Sequence, residues 1–147
     1  MGGGDSAPQP VEHLLAAYIG CTQATAMFVG RNMKPRIQID RLEFDIVGER
    51  DIRGALDCLP IVSKSESSGG TDELEEGKEF PSIPARLLCV KGFITVYVKD
   101  RKGKIVEIGD SALKLLEVHT ERRCPVANMM IESGCSVQVD WIDGGKS

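Results

Sequence analysis

The stretch Pro10-Val-Glu-His-Leu-Leu-Ala-Ala-Tyr-Ile-Gly-Cys21-Thr22 decides how the rest of the chain is read. Its proline fits a first helical turn, where no backbone N–H is required, so a helix is expected from Pro10 or Val11 to about Arg31. Leu14, Tyr18, Cys21, Thr25 and Phe28 recur at spacings of four and three, which predicts one packed face carrying Cys21. Ala16, Ala17, Ala24 and Ala26 allow close approach on its flanks. Polar residues such as Glu12, His13, Thr22 and Gln23 interrupt the apolar run, which suits a buried helix better than a bilayer span.

Upstream, residues 1–10 are a Gly/Pro-rich lead-in. Downstream, residues 36–47 read as a strand: Ile37, Ile39, Leu42, Phe44 and Ile46 largely alternate, and the break in phase between Ile39 and Leu42 predicts a bulge. Two more strands are expected at 85–90 and 92–99, where Ile94, Val96 and Val98 alternate with Phe93, Thr95 and Tyr97. The three should form an antiparallel sheet. Residues 64–80 are acidic and rich in Ser and Gly, with almost nothing to bury, so they are expected as a mobile loop. Beyond the strands, Asp110 or Ser111 can cap a helix burying Leu113, Leu116 and Thr120. Cys124-Pro125 opens a short helix through Ile131, Ser133-Gly134 stops it, and Val137, Val139 and Trp141 mark a final strand. The fold class is therefore α+β, with an antiparallel sheet packed on a long central helix, C-terminal helices and a closing strand.

The chain of 147 residues fits one domain spanning 1–147, and its 41% hydrophobic and 27% charged residues place it among ordinary globular proteins. A net charge of −4 with no dense Lys/Arg stripe removes the electrostatic drive for nucleic-acid binding, and no membrane partner is indicated. Five cysteines, an odd number spread along a chain with no secretory signal, point to thiols in a reducing, cytoplasmic compartment rather than a disulfide scaffold. An organellar location stays compatible if the N-terminus is incomplete.

Among those thiols, Cys124 is the one marked by local chemistry. With Pro125 at the first helical position, Cys124 falls at the N-cap, where unpaired N–H groups and the positive end of the dipole favour a thiolate; Arg122 and Arg123 add positive charge. The competing reading is a buried small hydrophobe before a proline. Cys21, mid-helix on an apolar face, reads locally as a core residue. Cys58, Cys89 and Cys135 have no motif around them and are expected to be structural or incidental. His13 and His119 are expected as surface or capping residues, and no Cys-x-x-Cys or His-x-x-x-His spacing suggests a metal; no cofactor is indicated.

The segment Pro10-Val-Glu-His-Leu-Leu-Ala-Ala-Tyr-Ile-Gly-Cys21 resembles the Pro-x-Glu-x-Leu-Leu-Ala-Ala helix ending in Cys of the OsmC/Ohr family (osmotically inducible protein C and organic hydroperoxide resistance proteins). Cys124-Pro-Val-Ala-Asn128 resembles that family's Cys-Pro-(Val/Tyr)-x-Asn helix start, in the same order and about 100 residues on, with a strand-rich segment between. The resemblance covers nearly the whole chain. It implies an α+β fold intertwined as a homodimer, with the two cysteines brought together near the interface. It further implies that Cys21 attacks an organic or fatty-acid hydroperoxide, and that Cys124 resolves the sulfenic acid into a disulfide reduced by a dithiol.

This sequence departs from the family pattern at two points. The carboxylate that holds the thiolate in peroxidatic members follows the helix-opening proline, and here that position is Val11; Glu12, nine residues before Cys21, falls on the opposite side of the helix and roughly 13.5 Å along it. The upstream strands and their arginine are also absent, which leaves Arg31, Arg36, Arg122 or Arg123 as substitutes. The resemblance thus supports a thiol peroxidase, and the departures support a non-catalytic, redox-responsive or ligand-binding module of the same fold. A purely structural interaction domain would show no difference in reactivity among the thiols.

Overall fold

The computed structural model describes residues 8–56 and 85–146. The expected acidic loop at 64–80, Cys58 and most of the lead-in lie outside the described residues. The elements in order are α1 (Pro10–Asn32), β1 (Ile39–Arg50), a single turn α2 (Arg53–Leu56), β2 (Leu87–Lys99), β3 (Ile105–Val106), α3 (Asp110–Glu121), α4 (Pro125–Glu132) and β4 (Ser136–Asp143).

Helix α1 starts at Pro10 as the sequence predicts, and Glu12 explains why it starts firmly. Its Oε2 accepts the Gln9 backbone N–H at 2.6 Å in a capping box. The packed face differs from the expected one. The buried residues are Tyr18, Thr22, Ala26, Val29 and Gly30, with Val11 and Leu15 packing at the edge, a face roughly 80° round the helix from the predicted stripe at 100° per residue. Of the predicted stripe only Tyr18 is buried; Leu14 is 40% and Phe28 59% exposed, and Cys21 is half-buried on the flank. Apolar residues surround most of the helix, so periodicity alone permits two faces, and small size selects between them. Gly30 lets α1 approach the sheet so closely that a Cβ there would stand 3.2 Å from the Ile37 carbonyl oxygen.

Strand β2 is the centre of the sheet. β1 pairs with it antiparallel, with the register shift between Ile39 and Arg41 where the broken alternation predicts a bulge. The strands expected at 85–90 and 92–99 are one continuous strand rather than two. Gly92, expected as the first residue of a separate strand, instead sits inside β2 with φ 140°, where a Cβ would lie 2.0 Å from the Asp45 carbonyl oxygen. On the other edge of β2, β3 pairs antiparallel at Val98 and Lys99, and β4 pairs parallel along Cys89–Val96. The pairing of β1 with β2 is antiparallel as expected, the short β3 rather than a split β2 supplies the third antiparallel strand, and the final strand joins in parallel.

Helix α1 packs against both α3 and α4; α1 also contacts β1, and α3 and α4 each contact β4. The core they enclose centres on Val90, Ile94 and Val96 of β2 and Leu116 of α3, all fully buried, with Leu113, Met130 and Val139 around them. Neither Asp110 nor Ser111 caps α3. Its N-cap is Gly109, at φ 81°, and the buried Asp143 at the end of β4 takes the polar role: Oδ2 accepts the Ile108 and Gly109 N–H groups at 2.9 and 3.3 Å, and Oδ1 accepts Gly145 N–H at 2.9 Å. Among the described residues no helix is long and apolar enough to cross a membrane.

Candidate functional site

The middle of α1 and the start of α4 meet at Cys124. As expected, Cys124 is the N-cap of α4, in extended conformation, with Pro125 at the first helical position. Asn128 holds this turn in shape. Its Nδ2 donates to the Cys124 carbonyl at 2.8 Å and to the Glu121 carbonyl at 3.1 Å, which gives the last residue of the Cys-Pro-Val-Ala-Asn run a physical role. The thiol itself is 1% exposed and points into the protein against α1.

Thr22, on the buried face of α1, places its Oγ1 3.6 Å from Cys124 Sγ, within hydrogen-bond distance for sulfur. Cys21 is the neighbouring residue on the flank, and its thiol lies near enough to Cys124 to act on it; both cysteines are free. The two thiols therefore stand side by side in different surroundings, one half-open and one sealed.

The environment of Cys124 does not favour the thiolate as the sequence suggested. Burial pushes its thiol above the ordinary value of 9.0; the Ala127 N–H at the helix start and the Thr22 hydroxyl pull it down, and Cys21 pushes it up again. No arginine contributes. Arg123 turns back along α3, with Nη1 2.8 Å from His119 Nδ1 and donating to the His119 carbonyl at 3.1 Å, and Arg122 is exposed. Arg31 and Arg36 lie on a different part of the surface, in a separate groove. Val11 packs at the edge of the core and Glu12 is engaged at the helix cap, so neither supplies a carboxylate to the thiols.

Beside Cys124 is a cavity of about 60 Å³ bordered by Tyr18, Thr22, Thr120 and Trp141. Burial, followed by the nearby Cys124 and Glu121, pushes the Tyr18 hydroxyl up to about 12 from 10.0, against a smaller lowering by Thr22, so it stays neutral. Thr120 is fully buried, and its Oγ1 has no hydrogen-bond partner among the described residues. Three hydroxyl groups and one thiol thus line a space large enough for a small hydroxylic molecule.

Tyr18, Phe28, Met129 and Met130 do not come together as an apolar wall beside the thiols. Phe28 and Met129 (72% exposed) face outward, and Met130 belongs to the core. Thr22 and Thr120 were not visible as site residues in the sequence; the only signal for Thr22 is its i+4 spacing from Tyr18. His13 is exposed, Cys89 is half-buried, and Cys135 is buried behind α4. Among the described residues no cluster of three or more His, Cys, Asp or Glu side chains is placed to hold a metal ion.

No protein-family model and no curated protein matches the sequence. Solved structures do match. An OsmC-like protein from Mycoplasma pneumoniae superposes with a TM-score of 0.60 at 16% identity, covering 97% of this chain and 77% of the other. A hypothetical protein from Aquifex aeolicus VF5 superposes with a TM-score of 0.54 at 12% identity, covering 98% and 80%.

Proposed function

We propose, from the OsmC-like fold of this chain and the pairing of its thiols, that it reduces organic hydroperoxides through a two-cysteine cycle as a homodimer. The observation that carries this reading is the meeting of two free thiols from α1 and the start of α4, one half-exposed and one sealed beside Thr22. The accessible thiol suits attack on an external substrate, and the sealed one suits its resolution.

In this reading the Cys21 sulfur, as thiolate, attacks the distal oxygen of the hydroperoxide; the O–O bond breaks and the alkoxide leaves as an alcohol after taking a proton. The sulfur of Cys124 then attacks that of the Cys21 sulfenic acid, an S–S bond forms, and water leaves. The Thr22 hydroxyl and the Ala127 N–H stabilise negative charge on Cys124 as it loses its proton. A dithiol reduces the disulfide by exchange and closes the cycle. A reducing, cytoplasm-like compartment suits free thiols of this kind.

The outer face of α1 supports the homodimer. Leu14, Ala17, Cys21, Ala24 and Phe28 alternate at spacings of three and four, the a/d pattern of a helix seam, with small residues at alternate positions and Leu14 and Phe28 open to solvent. A second α1 laid along this seam would cover the apolar side chains and flank Cys21.

A non-catalytic module of the same fold is the second reading, favoured by Val11 at the carboxylate position and by the absence of a cation acting on Cys124. Consumption of cumene hydroperoxide in the presence of excess dithiothreitol separates the two. The peroxidase reading expects saturable turnover that disappears in Cys21→Ser. No turnover in the wild type, or full turnover in that variant, contradicts it.

A further inference from the structure

An open groove of about 920 Å³ lies between the C-terminal half of α1, the chain entering β1, the end of β2 and the segment leading from β3 into α3; none of the residues lining it borders the cavity at Cys124. Its floor is apolar. Ile37 and Val98, each 7% exposed, are core residues, and Ile39, Val106 and Ile108 pack against the core from the groove side.

The rim is cationic, which is notable in a chain of net charge −4. It presents Arg31, Arg36, Lys99 and Arg101 against two carboxylates, Asp100 and Glu107. Lys99 is paired with Asp40 at 3.0 Å, and the Asp100 carboxylate is engaged by the backbone N–H groups of Lys102 and Lys104 at 2.8 and 2.9 Å. Glu107 acts on Lys146. Among the described residues Arg31, Arg36 and Arg101 make no ion pair and no side-chain hydrogen bond. Three guanidinium groups with their donors uncommitted thus edge a trough whose base is aliphatic. Such groups match a carboxylate in flat, two-point contact, and the aliphatic base suits an alkyl chain.

We propose that this groove binds an aliphatic carboxylate, with its alkyl chain on the Ile37–Ile39–Val98–Val106 floor and its head group at the rim arginines. The site is independent of the thiol chemistry. A short carboxylate would lack the floor contacts, and a cationic amphiphile of equal length would meet the rim with the wrong charge.

Calorimetric titration of the full chain with decanoate, acetate and decylammonium tests this, together with the Arg31→Glu/Arg36→Glu variant, whose changed residues are both exposed. The proposal expects saturable decanoate binding, with acetate and decylammonium at least tenfold weaker. The charge-reversed variant should lose at least tenfold, Arg31→Lys/Arg36→Lys should recover part of that loss, and Cys21→Ser/Cys124→Ser should bind as the wild type does. Equal binding of decylammonium, unchanged affinity after charge reversal, loss of binding in the cysteine variant, or no saturable heat with decanoate would each overturn it. So would dissociation of a dimer by the arginine substitutions with no effect of decanoate, which would make the groove a subunit contact.

Discussion

The two faces of α1 are built from similar residue types and put to different uses. The inner face, Tyr18, Thr22, Ala26 and Val29, is buried against the core and sets a hydroxyl beside Cys124. The outer face, Leu14, Ala17, Cys21, Ala24 and Phe28, leaves apolar groups in solvent and keeps Cys21 within reach from outside. One turn of one helix thereby holds two neighbouring residues, Cys21 and Thr22, in different surroundings. The division implies that inner-face changes act on stability and outer-face changes on chemistry and association.

The largest expected effect is on the outer face. Cys21→Ser should lower dithiol-dependent hydroperoxide consumption by at least about 100-fold while leaving the unfolding free energy within about 1 kcal/mol of wild type, as expected for a half-buried residue on the helix flank. A loss of activity accompanied by unfolding would blur the two faces. On the inner face, Ala26→Leu should destabilise by about 3 kcal/mol, because Ala26 is fully buried and has no room for added methylenes, whereas the same change at the exposed Ala24 should cost little. Equal effects at 24 and 26 would contradict the assigned orientation of α1.

Tyr18 gives the inner face a pH signature. Its folded pKa lies near 12 against 10.0 when unfolded, so its contribution is fully present below pH 10 and is lost as pH rises toward 12, roughly 2 kcal/mol in all after allowing for partial relaxation. Denaturation midpoints measured across that window should fall more steeply for the wild type than for Tyr18→Phe; parallel slopes would remove Tyr18 from the account. The smallest effect on the folded chain is expected at the outer seam. Leu14→Glu/Phe28→Glu should change unfolding free energy by about 0.5 kcal/mol or less once compared as monomers, yet shift the sedimenting species from dimer to monomer. A wild type that sediments as a monomer would leave the seam unexplained.

The long helix, its proline start, the β1 bulge, the buried Leu113, Leu116 and Thr120 of α3, and Cys124 at the start of α4 were all legible in the sequence, because each rests on local chemistry or on a clear period. What was not legible depends on partners distant in sequence. The rotation of α1 is set by how closely Ala26 and Gly30 approach the sheet, and an apolar helix has no period that reveals it. Gly92 reads as the start of a separate strand until Asp45 is seen across the ladder, and nothing local marks Asp143 until its carboxylate is seen holding Ile108 and Gly109. The nearness of Cys21 to Cys124 was suggested by a family resemblance rather than by spacing, and the groove edged by Arg31, Arg36 and Arg101 draws on segments no local pattern connects.

The most direct test of the central claim is peptide mapping by mass after brief exposure of the protein to one equivalent of cumene hydroperoxide. A single linked pair of peptides containing Cys21 and Cys124 should lose two hydrogens, restored by dithiothreitol. Oxidation spread evenly over the cysteines, or a bridge between any other pair, would contradict it.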